Sequence, residues 1–167
     1  MNRWLRECIY FVVFILLQTL VINHMQLFGV ITPFIYFYVL LKMPFDMSRS
    51  SIILLSFFLG LIIDSFSNTF GMHAAACSLL GFIRNPLIEQ FTDTKELPAG
   101  SIPSNRVFGF ARFSYFMLIM VTIHHLVLFS IDSFGSFQPV QFLVRLSSSI
   151  VLTSLLMMII ETFNRKK

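Results

Sequence analysis

The sequence predicts an all-α integral membrane protein, a bundle of about six transmembrane helices with both termini in the cytoplasm. Three observations carry this expectation. The 167-residue chain is 56% hydrophobic and only 12% charged, about half the charge of an ordinary soluble domain. Its apolar residues fall into segments near 5–22, 30–43, 50–65, 71–90, 108–130 and 140–162. Of its 12 lysines and arginines, all but Arg145 flank alternate connections. The length suits a single transmembrane domain, 1–167. Backbone polar groups in lipid must be satisfied within the chain, which requires helices, and the alternation of a barrel strand is absent.

The first segment follows MNRWLRE and resembles the start of a signal peptide. Its apolar run continues to Val21 with no small-x-small site, so a retained span is expected. Residues 8–41 form one charge-free run of 34, too long for one span and enough for two short ones. Asn23, His24, Gly29 and Pro33 supply the turn chemistry that divides it. Segments two and three would reach only about 21–24 Å as helices, against a hydrocarbon core of about 30 Å. They are therefore expected to sit within protein or to continue into irregular backbone. In segment four, Pro86 is expected to kink or end the helix. The polar loop that follows, about 91–107, is kept irregular in its second half by Pro98, Gly100 and Pro103, while its first half could extend the preceding helix. Segments five and six complete the bundle.

Orientation follows from the basic residues. Arg3, Arg6, Lys42, Arg49, Arg84, Lys95, Arg106, Arg112, Arg165, Lys166 and Lys167 all fall on one side, which the positive-inside rule places in the cytoplasm. Charges scattered in this way speak against nucleic-acid binding. Cys8 and Cys77 lack metal or disulfide spacing. His124 and His125 are adjacent and point about 100° apart on a helix, and no His-Glu-x-x-His motif accompanies them or His73, so no metal or other cofactor is expected. No nucleophile-and-base signature suggests an enzyme. Arg84, Glu89, Glu7 and Glu161 read as interfacial residues, and Asp132 and Arg145 as a pair at the outer end of segments five and six.

The most informative stretch is GLIIDSFSNTFGMHAAA, residues 60–76. A carboxylate at membrane depth costs about 2.5–3.5 kcal/mol on insertion scales. Asp64 follows Gly60 by one helical turn, so both face the same side, and a glycine there lets another backbone approach closely. Ser65 to Thr69 are short polar residues, and Gly71 permits a tight re-entry into the next helix. This pattern predicts a helix end and turn in which Asp64 accepts amide hydrogens from the start of helix four. The alternative is a proton relay or ligand carboxylate. Gln18 in segment one is expected to hydrogen-bond a neighbouring helix.

The order of LLQTLVIN (16–23), TPFIYFYVLL (32–41) and GLIID (60–64), with a glycine shortly after, resembles the rod shape-determining membrane protein MreD family over essentially the full length. The residues that carry it are Gln18, Asn23, Pro33, Gly60, Asp64 and Gly71. Where many family members have a further glycine in the turn after the aspartate, this chain has Asn68. The resemblance implies a non-enzymatic inner-membrane subunit of the bacterial cell-elongation complex, structural or partner-binding in its key residues. It would bind an MreC-like membrane protein and, indirectly, the MreB-type filament and cell-wall synthases. It also implies an architecture similar to the substrate-binding (S-component) subunits of vitamin transporters, so a small-molecule transporter subunit is the alternative. Asp64, Asn68, His73, Asp132 and Arg145 would supply polar groups to its cavity.

Overall fold

A computed structural model describes residues 3–22, 31–93 and 97–164. The described residues form helices α1 (Arg3–Leu20), α2 (Tyr38–Leu41), α3 (Arg49–Ser67), α4 (Met72–Glu89), α5 (Asn105–Phe108), α6 (Phe110–Asp132) and α7 (Pro139–Asn164). Among the described residues, three helices are long and apolar enough to cross a membrane: α3, α6 and residues 139–163 of α7. At 1.5 Å per residue they reach about 28, 34 and 37 Å, against a hydrocarbon core of about 30 Å. The chain is an all-α membrane protein, and large apolar side chains on these helices, such as Leu54, Phe58, Leu118, Val151, Leu155 and Ile159, are exposed.

α3 and α4 form the tightest unit, an antiparallel hairpin. Ser48 caps α3, its hydroxyl accepting the Ser51 N–H at 3.2 Å, the usual reach of an N-cap side chain. A Cβ on Gly60 would lie 2.4 Å from the His73 carbonyl oxygen, and one on Gly81 would lie 2.5 Å from the Ser56 hydroxyl. The helices therefore approach closely at both glycines, where a side chain would collide with the His73–Ala74 backbone or with the small side chain of Ser56. α4 packs in turn against α6, and α6 against α7. α4 also runs on through Pro86 to Glu89, where the sequence led us to expect a kink or an end. Proline removes the N–H that would bond the Phe82 carbonyl four residues earlier. Arg49 replaces it from α3, donating to that oxygen at 3.3 Å. Helix four is not extended into the polar loop either: Gln90 and Phe91 close it with bonds back to Leu87 and Ile88.

Apolar segment two departs most from expectation. Instead of a helix over 30–43, the structure has non-helical backbone through 31–35, a turn at 36–37, and then the single turn α2. Pro33 disfavours helical backbone at Thr32 and lacks an N–H of its own. The segment is enclosed by protein, with Phe34, Ile35, Tyr36, Phe37, Tyr38, Leu40 and Leu41 all buried. Its backbone groups find side-chain partners. Thr32 N–H donates to Ser149 Oγ at 3.1 Å and Phe34 N–H to Thr153 Oγ1 at 3.2 Å. Gln18 brackets Pro33 to Ile35: its Nε2 donates to the Pro33 carbonyl at 3.2 Å, and its Oε1 accepts Ile35 N–H at 2.9 Å. These two bonds of Gln18 go to non-helical backbone, where the sequence led us to expect a neighbouring helix.

Replacing Gln18 by leucine leaves a buried carbonyl and a buried N–H unsatisfied, at about 1–3 kcal/mol each. Gln18→Leu should lower stability by roughly 2–6 kcal/mol. A Cys8→Ser background would show this as earlier exposure of the buried Cys77 thiol on heating in detergent.

Candidate functional site

Two clusters hold the residues singled out by the sequence, and an aromatic contact joins them. In the first, the α3–α4 turn, Asn68 adopts the left-handed conformation (φ 53°) as C-cap of α3. Glycine is commonest there and asparagine is the best-tolerated alternative. Gly71 (φ 80°) is the N-cap of α4 and has no side chain with which to cap it. Asp64 performs that role from the neighbouring helix. Its Oδ1 accepts the His73 N–H at 3.1 Å and its Oδ2 the Ala74 N–H at 2.8 Å, the second and third residues of α4. Oδ1 also accepts from the Thr69 hydroxyl at 2.5 Å and from His73 Nδ1 at 3.0 Å.

Asp64 is 3% exposed. Four donors reach it, three at Oδ1 and one at Oδ2, and it sits at the positive end of the α4 dipole. Gly60 lies one turn earlier, against the His73 carbonyl and the Ala74 Cα. Gly60, Asp64 and Gly71 therefore belong to one junction: the close approach set by Gly60 brings the Asp64 carboxylate to the helix start that Gly71 leaves uncapped.

The second cluster is the Gln18–Pro33 bracket. Asn23 lies outside the described residues. Between Pro33 and Ile35, the Phe34 ring packs edge-on to His73, with centroids 5.5 Å apart, and also against His124, His125 and Phe129. The partner of Asp64 is thus seated on the segment that Gln18 holds.

Sequence reasoning missed the polar interior around this contact. His125 Nδ1 lies 2.9 Å from the Val121 carbonyl, which can only accept, so this nitrogen carries the hydrogen. Nε2 then accepts from the Thr153 hydroxyl at 3.1 Å, and Thr153 in turn takes the Phe34 N–H. The Cys77 thiol donates to Tyr36 Oη at 3.5 Å. Tyr36 then donates to His124 Nε2 at 2.7 Å. His73 Nε2 and His124 Nδ1 are buried and lack a hydrogen-bond partner among the described residues. No group of three or more His, Cys, Asp or Glu among those residues could hold a metal ion. One signal was available: Ser149 and Thr153, four apart in an apolar segment, share a helix face and so could receive backbone from a neighbour.

Two charged residues read as interfacial are instead buried. Arg84 is fully buried; its Nη2 donates to the Met43 carbonyl and, at 3.5 Å, to the Leu41 carbonyl, and its Nη1 to Asn85 Oδ1 at 3.0 Å. Glu161 is 4% exposed. It accepts from Tyr38 Oη at 2.6 Å and from the Asn105 N–H at 3.1 Å, and it pairs with Lys42 Nζ at 2.5 Å. Lys42 also donates to the Pro103 carbonyl at 2.8 Å. This group ties α2, α5 and α7 together at the end of the bundle opposite the α3–α4 turn. At the α3–α4 end, Arg145 bonds Asp132, each side chain about one-third exposed.

Removing one partner of a buried charged group costs about 3–5 kcal/mol. Asp64→Ala should lower stability by roughly that amount. Asp64→Asn should fall between, because an amide keeps one acceptor oxygen and turns a donor toward α4; thermal unfolding in detergent checks both. A second cycle tests the opposite end. Lys42→Met and Glu161→Leu alone should each cost about 3–5 kcal/mol, whereas the double variant should recover much of that loss in the same assay, because it leaves no charge unpaired.

No protein-family model matches the chain, and neither does any curated protein or solved structure.

Proposed function

We propose that the chain is a non-enzymatic inner-membrane subunit of the bacterial cell-elongation complex. It binds an MreC-like bitopic protein and thereby helps to couple the cytoskeletal filament to peptidoglycan synthesis. In this reading about six apolar segments form the bundle and both termini are cytoplasmic, as the basic residues require. The observation that supports a scaffold is how the interior is used. The chain's own 31–41 segment occupies the core, and the polar groups there mostly bond one another. Asp64 and His73, which a transporter reading would place in a ligand cavity, are engaged with each other and with the start of α4. A protein built this way acts through its surfaces. Gln18, Pro33, Gly60, Asp64 and Gly71 serve by holding those surfaces in shape.

The test is affinity purification of the tagged protein from its own membranes in gentle detergent, with mass spectrometry of what accompanies it. Recovery of an MreC-like protein together with cell-wall synthases is expected, and Asp64→Ala should reduce that recovery. Recovery of ATPases and a coupling membrane subunit would overturn the proposal in favour of a vitamin-type transporter subunit.

A further inference from the structure

The junction between α6 and α7 carries a feature that the scaffold reading does not use. Both helices are long and apolar enough to cross a membrane, so the connection between Asp132 and Pro139 lies at a membrane boundary, where lipid headgroups are. A half-open cavity of about 200 Å³ sits there, lined by Asp132, Ser133, Ser136, Gln138, Gln141 and Arg145, with Phe142 as its apolar wall. That volume lies below the roughly 300–1,000 Å³ of pockets that enclose drug-sized or cofactor-sized ligands. The space suits a small polar group rather than a whole vitamin.

The lining sets the charge of that group. Arg145 is the only lysine or arginine between residues 113 and 164. Its guanidinium bonds Asp132 Oδ2 and lies over the Phe129 ring, 4.4 Å from the centroid, which holds its plane. A guanidinium has five donors and a carboxylate about four acceptor positions, so one bond between them leaves capacity on both. The pocket therefore offers a positive and a negative centre side by side with no net charge, the complement of a zwitterion. Gln138 and Gln141 bring the start of α7 to the same cavity, and first-turn N–H groups of a helix favour phosphate.

The connection and the first turns of α7 also carry exposed apolar side chains: Phe134 is 93% exposed and Val140 77% exposed, with Phe137, Leu143 and Val144 also exposed. Apolar surface beside a polar pocket at a membrane boundary is matched by a molecule whose polar head enters and whose chains lie outside. We propose that the α6–α7 cleft binds the headgroup of a zwitterionic phospholipid carrying a primary ammonium. Its phosphate lies against Arg145 and the first turn of α7, its ammonium lies against Asp132, and its acyl chains lie outside the cleft. This holds whether or not the chain belongs to an elongation complex.

The experiment uses the full chain, delipidated in detergent. Native mass spectrometry would titrate it with phosphatidylethanolamine, phosphatidylglycerol and phosphatidylcholine of identical acyl chains. Phosphatidylethanolamine is expected to bind about tenfold more tightly than either of the others. Arg145→Gln and Asp132→Asn, conservative changes at partly exposed positions, should each weaken it by roughly tenfold, the size of one hydrogen bond to a charged group. Arg112→Gln, on the opposite end of α6, should leave it unchanged. Equal binding of the three lipids, or no effect of the two cleft variants while their melting curves match the parent, would overturn the proposal. Soluble phosphoethanolamine is the second arm. If it competes at concentrations comparable with the lipid, the cleft recognises a free zwitterion and the lipid assignment fails; if it does not compete, the acyl chains are part of the ligand.

Discussion

The structure depends on one constraint: a stretch of non-helical backbone lies inside a membrane protein, where no bulk water can satisfy it. Each buried N–H or carbonyl left unpaired there costs several kcal/mol in hydrocarbon. Residues 32–35 avoid this by bonding to Gln18 of α1 and to Ser149 and Thr153 of α7. Two helices far apart in sequence are thereby held against the same strip of main chain, and their relative positions follow from its hydrogen-bonding pattern. Apolar packing alone would not specify this, because lipid tails are as apolar as leucine and give helices little hydrophobic reason to associate.

The α3–α4 hairpin is built on a different principle and joined to the first through one ring. Its close approach comes from glycine and serine at the contact, and its end is fixed by a carboxylate borrowed from the opposite helix. Asp64 is tolerated at membrane depth because His73, Ala74 and Thr69 saturate it, and those donors exist only when Gly60 lets the helices touch. Phe34 then links the His73 ring to the strip held by Gln18. A change at Gly60 is therefore expected to be felt at the 31–37 segment, through a chain of contacts rather than through a shared hydrogen bond.

At the other end, charges seal the bundle instead of decorating it. Arg84 takes up carbonyls at the end of α2. Lys42 and Glu161 join α2 and α7, and Glu161 also receives the N–H of Asn105 at the start of α5. Such pairs contribute little net stability compared with well-packed apolar residues of the same volume, but they are intolerant of mispairing. That property suits elements as short as α2 and α5, which have almost no helical hydrogen bonding of their own to fix their register.

Much of the helical framework was legible in the sequence. Helices α3, α4, α6 and α7 coincide with apolar segments three to six, because Ser48, Asn68, Gly71, Gly109 and Pro139 act locally, through backbone preference and capping. The Asp64 turn was legible for the same reason, since every residue that builds it lies within 14 positions, from Gly60 to Ala74. Segment two could be recognised as too short to span, but not as non-helical, because its partners Gln18, Ser149 and Thr153 are distant in sequence. The burial of Arg84 and Glu161, and the use made of His124 and His125, were likewise beyond reach. In a membrane protein the lipid-facing and core-facing sides of a helix are both apolar, so hydrophobic periodicity no longer tells which side turns inward. By itself the sequence determined where the long helices α3, α4, α6 and α7 lie and which local turn joins α3 to α4. Only the tertiary structure decided which polar side chains meet, because in a solvent without water each of them had to find its partner across the bundle.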